Sequence, residues 1–430
     1  MNRLLNLRLL KPLFSTGLSR SLALLVALAF LLNACNIPQV KAEDRLFLDL
    51  SIDFLGSYQL PKLTFQDTPV GGLSGITYDR QRDRFYAISD DRSERAPARF
   101  YTLKLTLQPT SQPTENSSTP NMISSDDSLA IAVEIGKVTT LTGEDGQPYA
   151  RGTVDLEGIA PSPRQSLFIS SEGVAREGIA PFINEFDLET GRWLSRLPIP
   201  QRFLPEAGQS VGVQDNLGFE ALTLNANGSV DGRLEPFRVF AATESALQQD
   251  LPNSQSVNLA PSSSPPNSPS SPASSPLQPT PVRFLHYLVG DNQTTLLAEH
   301  LYLVEPVTGG TTQGLTDLLT LDQGGHFLSL ERSFGALTGF GAQLFQIATS
   351  PATDISGVSS LKGDISGITA IYKRSLLNLQ TLGISLDNLE GMTLGPRLPD
   401  GTRTLVLVSD DNFNPAQVTQ FLIFRIRGIS

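Results

Sequence analysis

Carboxylates recur at a fixed place in a unit that this chain repeats. In the clearest copy, Asp155-Leu156-Glu157-Gly158-Ile159 leads through a turn into Leu167-Phe168-Ile169-Ser170-Ser171-Glu172. Asn388-Leu389-Glu390-Gly391-Met392 leads likewise into Leu405-Val406-Leu407-Val408-Ser409-Asp410-Asp411, and Leu73-Ser74-Gly75-Ile76 into Phe85-Tyr86-Ala87-Ile88-Ser89-Asp90-Asp91. Fainter copies join Gly218-Phe219-Glu220-Ala221-Leu222 to Thr243-Glu244, and Asp317-Leu318-Leu319 to Leu330-Glu331. In an antiparallel hairpin the start of the first strand and the end of the second share an edge, so both acids of each unit fall at one end of a sheet. Units stacked around an axis would gather them on one face.

Like charges crowded in this way raise each other's pKa unless cations or basic side chains offset them. Calcium suits such a set, because it accepts ~6–8 oxygen ligands in irregular geometry. The candidate ligands are Asp90, Asp91, Glu157, Glu220, Glu390, Asp410 and Asp411. The plainer alternative is that each acid binds backbone N–H groups or an arginine where repeats meet. Arg92, Arg95 and Arg99 follow Asp91, Arg176 follows Glu172, and Arg332 follows Glu331. Guanidinium groups either neutralise acids or grip an anionic substrate in bidentate fashion, which makes Arg92, Arg99, Arg176 and Arg332 candidate substrate-binding residues. A metal together with arginines could bind a phosphate ester and activate water against it, with Glu157, Glu172 and Glu331 as the candidate catalytic carboxylates. Other chemistries lack their signatures. No P-loop is present, Gly72-Leu73-Ser74-Gly75-Ile76 lacks the last glycine of a nucleophile elbow, and His286, His300 and His326 lack metal-ligand spacing.

The elements that must position these acids are short β-rich runs separated by turn signals. After each acid-tipped hairpin come two more strand candidates, such as Phe182–Leu188 and Trp193–Leu197, or Arg283–Val289 and Ala298–Val304. Four strands per unit make a β-propeller blade. The expected architecture is therefore all-β, a propeller of five blades, with a sixth conceivable around 138–154 or 350–390. A pair of β-sandwiches is the competing architecture, and Ser375–Leu382 reads as a short helical turn or a loop. The fifth unit has a single further strand, Gln420–Ile426, and the strand-like Leu46–Leu50 is expected to complete it and close the ring. Closure of this kind hides a sheet edge.

The chain has 430 residues, 40% hydrophobic and 17% charged, and a net charge of -11. That length and composition can bury a sizeable core, and the charge argues against nucleic acid or an anionic membrane surface as partner. At the N-terminus, Arg3, Arg8, Lys11 and Arg20 precede an apolar run over Leu22–Leu32 that ends in Leu32-Asn33-Ala34-Cys35. This reads as a signal-peptide core followed by a bacterial lipobox. Residues 1–34 are then a leader, Cys35 a lipidation site, residues 35–45 an anchor linker and residues 46–430 the working domain. The protein is expected outside the cytoplasm, held at the cell envelope by its lipid and monomeric. Cys35 is the single cysteine, so no disulfide framework is available. Residues 108–128 and 249–281, rich in Pro, Ser, Thr and Asn, read as disordered insertions between strands.

As a set, these residues resemble the phytase-like domain family, also described as having esterase-like activity. The resemblance is carried by Gly72-Leu73-Ser74-Gly75-Ile76, Tyr86–Arg92, Ala98–Tyr101, Asp155–Ile159, Ser171-Glu172-Gly173, Leu330–Ser333 and Asn388–Met392, across about residues 70 to 425. It implies a propeller fold, clustered carboxylates holding calcium around phosphate, and hydrolysis of a small phosphoester or related anionic ligand. The second class of function compatible with the residues is a non-catalytic propeller that binds a small ligand or a protein partner, its acidic edge serving structure alone.

Overall fold

The computed structural model describes residues 46–109, 129–206, 210–225, 235–251, 278–291, 293–307, 312–363 and 365–429. The expected leader, Cys35 and anchor linker lie outside the described residues, as does most of both expected insertions. The margins of the second insertion are described and ordered: Gln248–Asp250 forms a 3-10 turn with Asp250 buried, and Thr280 and Pro281 begin a strand.

Twenty-two strands follow one another with no α-helix among the described residues. β1 (Ser51–Leu60) is followed by a small hairpin of β2 (Leu63–Phe65) and β3 (Thr68–Val70). Blade one is β4 (Leu73–Asp79), β5 (Arg84–Ser89), β6 (Arg99–Pro109) and β7 (Leu129–Thr140). Blade two is β8 (Leu156–Ser162), β9 (Ser166–Ser171), β10 (Phe182–Asp187) and β11 (Trp193–Arg196). Blade three is β12 (Phe219–Asn225), β13 (Phe237–Thr243), β14 (Thr280–Val289) and β15 (Thr294–Val304). Blade four is β16 (Thr312–Thr320), β17 (His326–Gly335), β18 (Gly339–Ala348) and β19 (Tyr372–Asn378). Blade five is β20 (Asn388–Arg397), β21 (Arg403–Asp410) and β22 (Thr419–Arg427), with β1 as its outer strand.

The expected five-bladed propeller is therefore present. Its inner strands touch in the cyclic order β4, β8, β12, β16, β20 and back to β4. Both faces of a blade pack against neighbours, which is why the strands read as almost continuous apolar runs rather than alternating ones. One apolar cluster fills each of the five gaps between blades. Neither stretch in which a sixth blade is conceivable from sequence holds one among the described residues: 138–154 finishes β7 and continues as a loop with one internal bridge, between Thr142 and Pro148, and 350–390 serves blades three to five. Ile355 and Leu361 pack on Leu301 of β15, with Val358, Ile365 and Ile368 beside them. Ser375–Leu382 divides between the end of β19 and a 3-10 turn over Leu379–Leu382.

Ring closure needs one correction. The closing strand is Ser51–Leu60, running antiparallel to β22 from Ser51 opposite Arg427 to Leu60 opposite Thr419, and Leu46–Leu50 only leads into it. The shorter apolar run looks more strand-like. Ser51–Leu60 suits an outer strand better, with its exposed Ser51, Ser57 and Gln59 toward solvent and Leu55 and Leu60 buried.

Candidate functional site

Each inner strand carries a bulge near the end where it enters the channel, one residue in from the start of β4, β8 and β12, two in β20 and four in β16. The register shifts between Leu73 and Gly75, Leu156 and Ile159, Phe219 and Ala221, Leu315 and Asp317, and Leu389 and Gly391. The residues absorbed there are Ser74, Glu157, Glu220, Thr316 and Glu390. A bulge inserts one unpaired residue and re-aims its side chain, so these five form a ring around the entrance to the central channel. Two residues further along each strand, Ile76, Ile159, Leu222, Leu318 and Met392 make an apolar layer beneath that ring, and they line the opposite mouth. Immediately after the bulge come Gly75, Gly158, Ala221 and Gly391, where space is short. A Cβ on Gly158 would lie 2.6 Å from the Glu220 carbonyl oxygen of the next blade.

A second ring comes from the strand that pairs with each inner strand. Leu73 faces Ser89, Leu156 faces Ser171, Phe219 faces Thr243, Leu315 faces Glu331 and Leu389 faces Ser409. The residue after each partner is Asp90, Glu172, Glu244, Arg332 and Asp410. Together the rings open into a cavity of about 480 Å3 whose wall includes Asp90, Asp155, Glu157, Glu220, Glu390 and Asp410. Donor oxygens of Asp155, Glu157 and Glu172 lie within 4.8 Å of one another, and so do those of Glu172, Glu220 and Glu244. Glu172 belongs to both triads, and all five residues are buried.

The fourth blade departs from the expected alignment. Aligning acid with acid placed Asp317 and Glu331 at the channel edge, but strand register places Thr316 and Arg332 there. A one-residue slip in a strand turns the side chain to the other face. Glu331 accordingly faces blade three, where it accepts from the Tyr302 hydroxyl of β15 at 2.5 Å, and it also takes the Lys373 ammonium of its own blade at 2.6 Å. Asp317 occupies the glycine position and accepts from the Met392 and Leu318 N–H groups at 2.6 and 2.7 Å.

The Asp-Asp pairs divide in the same way. Asp90 and Asp410 face the channel, whereas Asp91 and Asp411 serve the frame. Asp91 pairs with the fully buried Arg99 at 2.5 Å, and Asp411 takes the Lys62 ammonium at 2.6 Å and the Gly72 N–H at 2.9 Å. Arg99 also bonds the Tyr101 hydroxyl and the Pro69 carbonyl, so it holds blade one rather than a substrate. Arg176 lies on the surface with Asp215. Of the four arginines expected to grip an anion, Arg92 and Arg332 stand at the cavity, and Arg95 joins them. Arg92 donates through Nε to Asp155 at 2.7 Å and through Nη2 to Asp155 and Asn216. Arg332 donates to Glu244 at 2.6 Å and to Asn388 at 2.7 Å, while its buried Nε has no hydrogen-bond partner.

Electrostatics at the mouth follow from burial and crowding. Burial, then Glu220, Asp155, Glu172 and Asp90, push the Glu157 carboxyl well above the usual range. Burial, then Asp410 and Glu390, do the same to Asp90. Glu172 and Glu220 rise for the same reasons, with the Gly218 N–H and Arg92 pulling back on Glu172, and Arg332 on Glu220. Glu390 rises by burial against the pull of Arg332, and Asp410 is pushed up to about 7, mainly by burial. Burial on this scale leaves a cation or a proton as the way to neutralise each carboxylate.

Several residues of the site were not among the candidates. Asp155 and Glu244 complete the two triads, and their signal was present: each stands at the edge position of its hairpin. Asn216, Asn388, Thr312, Phe334, Phe340 and Phe413 also line the cavity. The phenylalanines come from turns and strand extensions outside the repeat, where no spacing marks them.

The family model described as phytase-like, with esterase-like activity of phytase, matches residues 68–413. No curated protein sequence matches the chain. Among solved structures, the catalytic domain of a GH62 α-L-arabinofuranosidase from Coprinopsis cinerea is 9% identical, with 88% of this chain and 98% of that one covered and a TM-score of 0.34. A β-fructofuranosidase from Schwanniomyces occidentalis is 9% identical over 87% of this chain and 60% of that one, with a TM-score of 0.36. At these scores neither likeness transfers a substrate or a residue's role.

Proposed function

Because the chain belongs to the phytase-like family, we propose that the acid-lined mouth is a calcium-dependent site for an anionic ester, and that the protein is a phosphoester hydrolase anchored at the cell envelope through Cys35. The observation that carries this is the pair of buried carboxylate triads sharing Glu172, with donor oxygens within 4.8 Å of one another. Hard oxygen donors at that spacing fit calcium, which tolerates shared and bidentate carboxylates. Asp155, Glu157 and Glu172 would hold one ion, and Glu172, Glu220 and Glu244 a second. Bound there, calcium supplies positive charge for the ester's phosphoryl oxygens and lowers the pKa of a coordinated water.

The chain's own residues complete the site. Arg92, Arg95 and Arg332 come from two blades and offset the charge of an anionic head group. Arg92 also fixes Asp155, and Arg332 fixes Glu244, so each triad has one carboxylate oriented by a guanidinium. The apolar layer of Ile76, Ile159, Leu222, Leu318 and Met392 lines the channel below, which keeps the charged chemistry at one end.

Calorimetric titration of calcium into the chelated protein is expected to show saturable binding, with phosphate released from a phosphomonoester panel only when calcium is present. Glu172→Gln should abolish both, because it removes a ligand from each triad, while surface Arg176→Gln should leave both intact. Absence of calcium binding would sink the proposal. A second reading, a non-catalytic propeller, is favoured by the ion pairs of Arg92 with Asp155 and Arg332 with Glu244, which stitch neighbouring parts of the ring together. Calcium binding without release from any ester would decide for it. Acyl labelling lost in Cys35→Ser would bear out the anchor.

A further inference from the structure

We propose that the ester taken by this site carries an aromatic group beside its anionic head, held by a lip of phenylalanines above the carboxylate rings. This rests on the anionic-ester reading above and names the class of substrate within it. The lip begins on blade four. β5 and β9 end one residue before Asp90 and Glu172, whereas β17 runs on past Arg332 to Gly335 and pairs with the start of β18, so this hairpin extends past the level of the mouth. Phe334 follows Arg332 by two residues and thus stands on the same face of the strand, one step further out. It pairs across the hairpin with Phe340, their ring centroids 4.9 Å apart, and both rings line the cavity.

The neighbouring blade five supplies a second part of the lip. After Asp410 and Asp411 the chain turns through Asn412 and Phe413 with φ of 48° and 50°, a left-handed conformation that non-glycine residues seldom adopt. Strain of this kind persists where the surroundings over-determine it. Here the Phe413 ring lies over Gly71 and Gly72, where a Cβ on Gly72 would come within 2.5 Å of it, and the Arg95 guanidinium stacks on the ring at 4.4 Å. The ring is thereby held between the glycines and Arg95, and the pair brings an aromatic edge and a positive charge together to the cavity wall.

The Phe334 and Phe340 rings offer a fully polar ester such as a polyol phosphate no hydrogen bond, whereas they offer an aryl group apolar contact beside Arg332. An aryl ester would bury its ring there and place its phosphate toward Arg92, Arg332 and the triads. The aromatic class follows from rings that two neighbouring blades bring to one cavity, because such rings favour offset or edge contacts with a flat group.

The test uses the calcium-loaded full chain with phenyl phosphate, glycerol 2-phosphate and inositol hexakisphosphate, by calorimetry and by phosphate release. Phenyl phosphate is expected to bind at least tenfold more tightly than glycerol 2-phosphate. Phe334→Ser and Phe340→Ser, on the surface hairpin, should each narrow that preference fivefold or more, whereas Leu337→Ser at the fully exposed hairpin tip should not change it. Equal affinities, a preference for the polyol esters, or an aryl preference untouched by both phenylalanine variants would overturn the aromatic assignment alone. Calcium binding with no ester bound or cleaved would overturn the anionic-ester reading and this assignment with it.

Discussion

At the scale of single residues, what separates frame from site is which way a carboxylate faces. Asp90 and Asp91 are neighbours of one chemistry, yet one looks into the channel and the other is locked to Arg99. Asp317 shows the same division most sharply. It fills the place that glycine holds in blades one, two and five, and it accepts the Met392 and Leu318 N–H groups in a buried setting. Asp317→Ala would leave two buried donors unpaired, at roughly 1–3 kcal/mol each. The expected result is a fall of several kcal/mol in unfolding free energy by denaturant titration, with Asp317→Asn intermediate; an alanine variant as stable as the parent would show that the bonds contribute nothing. The acids themselves were legible from sequence. Their direction in blade four was not, because nothing in Leu315-Thr316-Asp317 or Glu331-Arg332 marks which residue the bulge absorbs.

At the scale of elements, the inner strand is the unit that builds the site. Its bulge turns one side chain into the channel and sets the next residue against the neighbouring strand. Gly75, Gly158 and Gly391 follow from that closeness, and blade three, with Ala221, has room for a methyl group. Gly158→Ala would press a Cβ onto the Glu220 carbonyl and Leu222 at 2.6 Å, with no side chain free to yield. Overpacking of this kind costs about 1–3 kcal/mol, and it should also disturb calcium binding, since Glu157 and Glu220 flank the contact. Differential scanning calorimetry with a calcium titration checks both; a variant unchanged in both would mean the strands are free to part. Strand positions were readable from turn signals and apolar runs, and four-stranded blades from their count. The closing strand was misplaced by several residues because an edge strand alternates weakly, so the more apolar Leu46–Leu50 outweighed the true partner of β22.

At the scale of the whole molecule, the crowded mouth ties stability to pH. Acids whose pKa is raised by folding keep protons that the unfolded chain gives up, so the fold loses stability as pH rises. The loss begins above the ordinary carboxylate range near pH ~4 and continues through the folded value of Asp410, about 7, with Asp90, Glu157, Glu172, Glu220 and Glu390 acting in the same direction. The melting temperature of the chelated protein should therefore fall from pH 5 to pH 8. Calcium, which binds the ionised carboxylates, should raise it most at the higher pH. A melting temperature that climbs with pH under chelation would contradict the picture. The ring closure has a further consequence, for how the molecule comes into being. β1 is made early but pairs with β22, so Ser51 waits for Arg427 before the last blade exists. Contacts of such sequence separation are slow to form and cannot be completed before Thr419–Arg427 has been made. A chain that stops short of β22 therefore holds an open sheet edge, and the ring closes only when its two most distant strands meet.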